Sequence, residues 1–357
     1  KHVAICTAPS IRATIGECFG FAPGTDTEGK MVAAIKRLGF DGVYDMNLTA
    51  DLTIMEEATE FLERMKSGKN LPLITSCSPG WIKFCEHYFP EFTDNLSTCK
   101  SPQQMFGAMY KTYYARKRGL DPADIVFVSA IPCTAKKFEV RRPGQSAAGD
   151  GIYDVDYAIT TRELARMIEK AGINYRELDD EKFDEPFDIG SGAGAIFGAT
   201  GGVMEAALRT AAEVILGTKL EKLDFDDVRG TAPIKTATYK PGDTEVRVAV
   251  ASGTKNAREL LNKVKAGELE VDFIEIMACP GGCVNGGGQP VQSAAVKAAV
   301  DLKAKRASIL YNADKNLPLR KSHENLAVQK IYDEYLEKPG SHLAHEILHT
   351  HYTKRGL

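Results

Sequence analysis

The stretch VDFIEIMACPGGCVNGGGQP, residues 271–290, joins an apolar run to a glycine-rich segment with two cysteines, Cys279 and Cys283. Short apolar runs bounded by turn residues are typical of strands buried in a parallel sheet. Cys77 follows a run of the same kind, LPLIT, and Cys133 follows IVFVSAI. Ligand sites of open α/β sheets lie outside the carboxyl ends of the strands, so we expect these cysteines to emerge together at one sheet edge.

The spacing of the four cysteines favours an iron–sulfur cluster over zinc. Zinc ribbons use tight C-x2-C pairs, whereas here one C-x3-C pair is joined by cysteines far away in the chain. The glycines at 281, 282 and 286–288 have no Cβ, so their N–H groups can approach inorganic sulfur and anionic ligands closely. The sequence therefore predicts a cluster buried between two lobes.

Strand and helix patterns alternate along the chain, which predicts an α/β fold of two lobes with mostly parallel sheets flanked by helices. The first lobe, 1–150, is expected to contain HVAICTAP, GVYDM, LPLIT and IVFVSAI. The second lobe, 151–298, is expected to contain VDYAIT, EVRVAVAS and VDFIEIM, and residues 299–357 should wrap as helices around the outside. The cysteines come from both halves, so the metal site should lie in the cleft between them.

Composition indicates an intracellular redox protein. The chain has 357 residues, 43% of them hydrophobic, and a formal net charge of −3, which gives no reason to expect nucleic acid or an anionic membrane as a partner. No apolar run is long enough to cross a bilayer, and KHVAICTAPS does not resemble a signal peptide. Eight cysteines in a chain of this length do not indicate a disulfide framework. We expect a cytoplasmic location.

Two local patterns imitate other kinds of site. GSGAGAIFGATGG at 190–202 suggests a nucleotide loop, but it lacks the G-x-G-x-x-G spacing and no Walker lysine follows. The histidines at 342, 345, 349 and 351 imitate a zinc site, yet no cysteine accompanies them in the sequence. We expect a glycine-rich turn beside the cluster cavity and surface histidines, respectively.

Three segments resemble the signature motifs of the iron-only, or [FeFe], hydrogenases: TSCSPGW at 75–81, IPCTAKKFE at 131–139 and MACPGGCVNGGGQP at 277–290. The resemblance extends from TAPSIRA to AHEILH, and the part after about 300 is similar to a small subunit that is separate in some relatives. It implies an enzyme that interconverts H2 with protons and electrons. The implied cofactor is the H-cluster, a [4Fe-4S] cubane joined by a cysteine sulfur to a two-iron unit with CO, cyanide and azadithiolate.

The resemblance makes Cys133, Cys279 and Cys283 cubane ligands, with Cys283 bridging to the two-iron unit. The family usually has adjacent cysteines in its first motif, one relaying protons and one ligating iron, but this chain has Cys77 followed by Ser78. Three alternatives remain open. Ser78 ligates as an alkoxide, or Cys77 turns to ligate and ceases to relay protons, or the substitution disables assembly of the site.

A proton route is also implied by the resemblance. It would run from Cys77 through Glu57 and Ser97 to Glu60, using groups whose pKa values burial can shift toward the working range. Without the resemblance, MEEATEFLERM is an amphipathic helix whose glutamates form its solvated face. The resemblance favours a role in proton transfer.

The family's remaining pocket residues are matched by position. Lys136 has two candidate partners, a cyanide ligand of the cluster or Glu139 three residues later. Ile131 stands where the family commonly has methionine, which should make the pocket less adaptable. The other matched pocket residues are Pro9, Ser10, Gln103 and Met277.

The implied partners are proteins as well as H2 and protons. The chain has no C-x2-C-x2-C-x3-C run of the ferredoxin type, so electrons are expected from a ferredoxin or a partner subunit. Maturation proteins would insert the two-iron unit. Two alternatives remain: an iron–sulfur assembly or carrier protein that binds a cubane alone, and a sensory hydrogenase that turns over slowly.

Overall fold

The fold is seen in a computed structural model that describes residues 1–187 and 189–356. In this part of the chain eight strands form two four-stranded sheets, ordered β2-β1-β4-β5 and β3-β8-β7-β6. The strands are β1 His2–Thr7, β2 Gly42–Asp45, β3 Leu73–Ile74, β4 Ile125–Ala130, β5 Tyr157–Ile159, β6 Ile234–Tyr239, β7 Val246–Ser252 and β8 Phe273–Met277.

Helices flank both sheets, and the longest is α3 with 21 residues. Two π-helical turns, Tyr110–Tyr114 and Tyr332–Leu336, continue α5 and α14. The α-helices are α1 Pro9–Arg12, α2 Glu28–Arg37, α3 Asn47–Ser67, α4 Pro79–Tyr88, α5 Pro102–Met109, α6 Ala115–Arg118, α7 Lys136–Glu139, α8 Thr161–Lys170, α9 Gly192–Ala195, α10 Gly202–Leu216, α11 Thr254–Lys265, α12 Ala294–Ala299, α13 Leu302–Asn316, α14 Leu326–Ile331 and α15 His342–Leu348.

Both sheets are mostly parallel, as predicted. All strand pairs of the first sheet are parallel, and in the second sheet one pair, β6 with β7, is antiparallel. On β7 the side chains of Val248 and Val250 belong to one buried cluster, while Ala249 and Ala251 belong to another. This alternation shows that apolar side chains cover both faces of the second sheet.

Two strands lie in the sheet opposite to the one predicted for them. LPLIT supplies β3, which pairs with β8 of the second sheet through Leu73 and Phe273. VDYAIT supplies β5, which pairs with β4 of the first sheet through Tyr157 and Val128. Apolar pattern identifies a strand but not its partner, because crossovers far apart in sequence decide the pairing. The predicted boundary between 150 and 151 therefore does not follow the division of strands between sheets.

Sequence pattern also missed β6. Its residues alternate between more and less exposed positions, as in an edge strand with one solvated face. Helix ends agree better with prediction, since Gly39, Gly68 and Gly119 follow the last turns of α2, α3 and α6 with φ values of 89°, 65° and 63°. No helix in the described residues is both long enough and apolar enough to cross a membrane.

The helices of the C-terminal segment pack against the rest of the chain, α13 against α9, α14 against α3 and α15 against α5. On α13, Arg306 is buried and forms a bidentate ion pair with Glu17, with N–O distances of 2.7 and 2.6 Å. The same guanidinium donates to the carbonyl oxygens of Val284 and Pro290, which flank the glycine-rich loop. This single side chain therefore joins the C-terminal segment, the first lobe and the loop that carries Cys283.

Candidate metal centre

Cysteines follow three strands that come from both sheets. Cys77 follows β3 and Cys279 follows β8, which are neighbours in the second sheet, whereas Cys133 follows β4 of the first sheet. The expectation that they share one sheet edge is therefore wrong. The carboxyl ends of strands from two sheets meet instead, so the site lies in the cleft between the sheets.

Two adjoining cavities occupy this cleft. The larger has an empty volume of about 710 Å³ and is lined by Cys133, Cys279 and Cys283. The smaller has an empty volume of about 480 Å³ and extends toward α1 and α5. Five residues line both cavities and so form the boundary between them: Cys77, Ile131, Lys136, Met277 and Cys283.

The smaller cavity contains the predicted pocket residues Pro9, Ser10 and Gln103. Sequence reasoning missed its apolar lining, because small and apolar side chains scattered over several elements carry no motif of their own. These missed residues are Ala8, Met46, Ala50 and Pro102, whereas Phe197 and Gly198 belong to the glycine-rich segment 190–202 that was expected beside the cavity.

The donors of the larger cavity suit a polynuclear iron–sulfur group. All eight cysteines are free, and burial raises the pKa values of the Cys279 and Cys283 thiols. Among the described residues, the groups of three metal-binding side chains whose donor atoms lie within 4.8 Å of one another do not include the cavity cysteines. A single zinc ion lies about 2.3 Å from each of its sulfur ligands, so it needs sulfur atoms that are closer to one another than those of the cavity cysteines.

The smaller cavity suits a group that carries polar ligands. The Ser10 hydroxyl and the Gln103 amide oxygen have no hydrogen-bond partner in the described chain, although both side chains are completely buried. A buried polar atom without a partner costs roughly 1–3 kcal/mol. A bound group with polar atoms would remove that cost, which an apolar filling could not do.

Lys136 is buried and forms the ion pair that its sequence spacing predicted. Its Nζ lies 2.8 Å from Oε2 of Glu139, and this carboxylate also accepts hydrogen bonds from Ser101 and Gln103. The hydroxyl of Ser101, at the N-cap position of α5, therefore binds Glu139 and not the helix backbone. Glu139 holds Lys136 at the wall of both cavities, where further donors of its ammonium remain.

The four residues named for the proton route lie close enough to influence one another. The pKa of Cys77 is affected by Glu57, and the pKa of Glu57 is affected by Ser97 and then Glu60. The Ser97 hydroxyl donates to Oε2 of Glu60 over 3.1 Å. The alternative of a solvated helix face is wrong for Glu57, which is 2% exposed.

Burial gives two of these groups unusual proton affinities. It raises the pKa of Glu57 to about 8, while the Ser97 hydroxyl acts in the opposite direction. It raises the pKa of Cys77 to about 12, with the negative charge of Glu57 adding to the effect. A carboxyl group that titrates near neutral pH is able both to accept and to release a proton there.

Glu60 marks the outer end of this series and is half-buried. Its carboxylate lies 2.6 Å from the Arg64 guanidinium and accepts from the Thr98 N–H. Donor atoms of Glu60, Cys99 and His349 lie within 4.8 Å of one another, and His349 lies 2.7 Å from the Thr98 hydroxyl. The expectation of an unaccompanied surface histidine is therefore wrong for His349.

The glycines of the third motif serve mainly to let backbone segments pack together. A Cβ at Gly282 would lie 2.6 Å from the backbone nitrogen of Thr200, and one at Gly286 would lie 2.3 Å from the carbonyl oxygen of Pro132. The expectation that their space admits inorganic sulfur is thus incomplete, because protein backbone already fills it. These contacts fix the loop against both lobes.

Gln289 was not predicted as a site residue, although it lies in the same motif. It is buried, and its amide nitrogen donates to the carbonyl oxygen of Cys283 over 3.1 Å. Its amide oxygen accepts from the hydroxyls of Thr14 and Thr161. Gln289 therefore positions the Cys283 backbone through contacts with Thr14 and Thr161, which follow β1 and β5 of the first sheet.

Comparison with known proteins gives two adjoining family matches. Residues 1–287 match the family described as "Iron only hydrogenase large subunit, C-terminal domain". Residues 300–355 match the family described as "Iron hydrogenase small subunit". Together the two matches account for almost the whole chain.

Similar proteins include the NADP-reducing hydrogenase subunit HndD of Solidesulfovibrio fructosivorans, 52% identical over 99% of this chain and 60% of the relative. Iron hydrogenase 1 of Clostridium pasteurianum is 49% identical over 99% of this chain and 61% of the relative. The chain thus spans about three fifths of the length of these two relatives. The cytosolic Fe-S cluster assembly factor narfl of Xenopus tropicalis is less similar, 31% identical over 99% of this chain and 74% of the relative.

Among solved structures, the chain resembles a HydA structure described as revealing stepwise [FeFe]-hydrogenase H-cluster assembly. The TM-score is 0.87 at 42% identity, and the match covers 100% of this chain and 95% of the other. The two cavities, the cysteines that line them and both family matches agree. The chain belongs to the iron-only hydrogenase family, with a small-subunit-like segment fused at its C-terminal side.

Proposed function

We propose that this chain is the catalytic part of an [FeFe]-hydrogenase, which interconverts two protons and two electrons with H2 at an H-cluster. One observation carries the proposal: a cavity lined by four cysteines adjoins a second cavity that contains unpartnered buried polar atoms, and Cys283 lines both. A cluster made of a cubane and a separate two-iron unit needs two compartments joined at one sulfur. A protein that carries only a cubane has no use for the second compartment.

The residues that would hold the cofactor follow from the walls they form. Cys133, Cys279 and Cys283 would ligate the cubane in the larger cavity, with the fourth ligand supplied by Cys77 or Ser78. The smaller cavity would hold the two-iron unit among Pro9, Ser10, Gln103, Lys136 and Met277. When bound, the cluster supplies the iron for hydride chemistry and the route for electrons.

The protein's own part in the reaction is proton transfer. Cys77 lines the boundary between the cavities and would exchange a proton with the buried Glu57. From Glu57 the proton would pass to the Ser97 hydroxyl and then to Glu60, which is half-buried next to Arg64. Lys136, held by Glu139, would donate a charge-assisted hydrogen bond to an anionic ligand of the cluster.

Electrons would enter at the rim of the larger cavity. Thr134 and Gly287 line this cavity and are both exposed, so a cubane there would lie close to the protein surface. A ferredoxin or an electron-transfer partner subunit in the cytoplasm would exchange electrons at this surface. Maturation proteins would supply the two-iron unit.

The test is H2 production by the chain after maturation. Co-expressed with hydrogenase maturation proteins and given a chemically reduced dye, the purified chain should evolve H2, whereas the Cys283→Ala variant should not. Slow turnover with a complete cluster would indicate the sensory alternative. A chain that binds a cubane but never acquires the two-iron unit would be an assembly or carrier protein, which contradicts the proposal.

A further inference from the structure

We infer that the hydroxyl oxygen of Ser78, and not the sulfur of Cys77, is the fourth protein ligand of the cubane. The inference rests on the proposed function, because it concerns the cluster expected in the larger cavity. Three cysteines line that cavity together with Cys77 and Ser78, so one donor for the fourth iron must come from another lining residue. The lining of each cavity distinguishes the candidates.

Ser78 lines only the larger cavity, whereas Cys77 lines both cavities. The Ser78 hydroxyl also lies beside the third motif, because its oxygen accepts a hydrogen bond from the N–H of Ala278 over 3.2 Å. Ala278 directly precedes Cys279. Ser78 is therefore next to a cubane ligand, on the side away from the smaller cavity.

The Ser78 side chain is not used by the helix that it precedes. It occupies the N-cap position of the ten-residue α4, yet its oxygen makes no capping hydrogen bond to that helix. Serine at this position usually satisfies a backbone N–H of the first turn. The hydroxyl is instead turned toward Ala278 and the cavity, and the positive end of the helix dipole would favour a negatively charged oxygen there.

Cys77 is placed for a different task. Its thiol is partly buried at the wall that the two cavities share, and Glu57 and Lys136 are the charged groups with the largest influence on it. This location, between the smaller cavity and the first carboxylate of the proposed proton route, suits a thiol that exchanges protons. Ligation would remove that thiol from the route.

The remaining hydroxyl of the larger cavity belongs to Thr134, which is exposed. An exposed hydroxyl at the rim is hydrated, so it is a poorer donor than the partly buried Ser78. Ligation converts the Ser78 hydroxyl to an alkoxide and releases its proton to solvent, while the iron atom exchanges one ligand for the new Fe–O bond. No change of oxidation state is needed.

An oxygen ligand changes the properties of the cubane. Alkoxide is a harder and more basic donor than thiolate, so it stabilises the oxidised cluster relative to the reduced one. The midpoint potential of the wild-type cubane should therefore lie below that of Ser78→Cys, in which a fourth thiolate replaces the oxygen. The expected differences concern only the cubane and do not require the two-iron unit.

The experiment uses the full chain expressed without maturation proteins and reconstituted with iron and sulfide. Wild type, Ser78→Ala, Ser78→Cys and Cys77→Ala are compared by iron content, electron paramagnetic resonance and redox titration. We expect about four iron atoms per chain in wild type, Ser78→Cys and Cys77→Ala, and about three with a [3Fe-4S] signal in Ser78→Ala. We also expect a higher midpoint potential in Ser78→Cys than in wild type.

Two results would overturn the inference. One is loss of iron in Cys77→Ala while Ser78→Ala keeps a complete cubane, and the other is an unchanged potential in Ser78→Cys. Should Ser78→Ala fail to fold, the Ser78→Cys potential still decides, because that variant only replaces oxygen by sulfur. A different result would contradict the proposed hydrogenase function: a chain that assembles the cubane but yields no H2 after maturation.

Discussion

At the scale of single residues, burial changes what the glutamates of α3 can do. Glu57 and Glu60 lie on one helix that the sequence shows to be amphipathic, and apolar periodicity alone would place both in solvent. In the structure Glu57 is buried beside Ser97, and burial raises its pKa to about 8. The sequence contains the carboxylate but not the walls around it, because those come from segments distant in the chain.

Turnover should depend on the carboxyl group of Glu57. Replacing Glu57 by Gln keeps the size of the side chain but removes the group that exchanges protons, so H2 evolution should fall by about 10²–10⁴-fold. Glu63 lies on the same helix and is exposed, which makes Glu63→Gln the matched control with unchanged activity. Steady-state H2 evolution with a reduced dye measures both. Activity of Glu57→Gln within twofold of wild type would exclude the residue from the route.

The same carboxylate should make stability depend on pH. The pKa of Glu57 is raised from 4.5 to about 8 on folding, so the folded chain binds more protons than the unfolded chain between these values. Its stabilising contribution is present in full below about pH 4.5 and is lost as pH rises through 8, a loss of up to about 5 kcal/mol.

Urea unfolding of the metal-free chain between pH 5 and 9 measures this dependence. Glu57→Gln cannot titrate, so its unfolding free energy should decrease less over this range than that of wild type. Glu63→Gln again provides the control and should follow the wild-type curve. Identical slopes for wild type and Glu57→Gln would show that the carboxyl group titrates normally.

At the scale of elements, sequence pattern identified strands and helices but not their partners. LPLIT and VDYAIT are strands as predicted, yet each joins the sheet of the other lobe. The apolar run of a buried strand is the same whichever sheet receives it, and the crossovers that decide pairing involve residues about 30 to 200 positions apart. The cysteine motifs still indicated a common site, because they identify the carboxyl ends of strands in either sheet.

The stability of the chain should depend on how α13 of the C-terminal segment is attached. Arg306 on α13 is buried, where it pairs with Glu17 and donates to two carbonyl groups that flank the glycine-rich loop. Removing one partner of a buried pair leaves an uncompensated charge, so Arg306→Ala should lower the free energy of unfolding by roughly 3–5 kcal/mol.

Chemical denaturation measures the effect, and the exposed neighbour Lys305 provides the control, with a change of at most about 0.5 kcal/mol for Lys305→Ala. The double variant Glu17→Ala with Arg306→Ala should be less destabilised than the sum of the single variants, because neither charge is then left alone. A loss of less than about 1 kcal/mol in Arg306→Ala would mean that the pair does not hold the segment.

At the scale of the whole molecule, the cluster site joins the two sheets. Cys133 follows a strand of the first sheet, whereas Cys279 and Cys283 follow a strand of the second. A cubane bound by all three cysteines would therefore hold the two lobes together. A group that binds only the folded state stabilises the folded state. We expect iron and sulfide loading to raise the melting temperature by roughly 5–10 °C.

Differential scanning calorimetry of the metal-free and reconstituted chain measures this shift. Cys133→Ala removes the only cubane ligand expected from the first sheet, so its melting temperature should respond to loading far less than that of wild type. The unloaded variant should melt close to unloaded wild type, which separates the clamp from a folding defect. An equal rise in both proteins would show that the cluster does not connect the lobes.

The proposed activity depends on the two cavities holding a cubane and a separate two-iron unit, joined at Cys283. Infrared spectroscopy of the purified chain after maturation tests it most directly, because iron-bound CO and cyanide absorb where protein does not. We predict bands of both ligands in wild type and their loss in Cys283→Ala. A matured chain with a full cubane but no such bands would contradict the account.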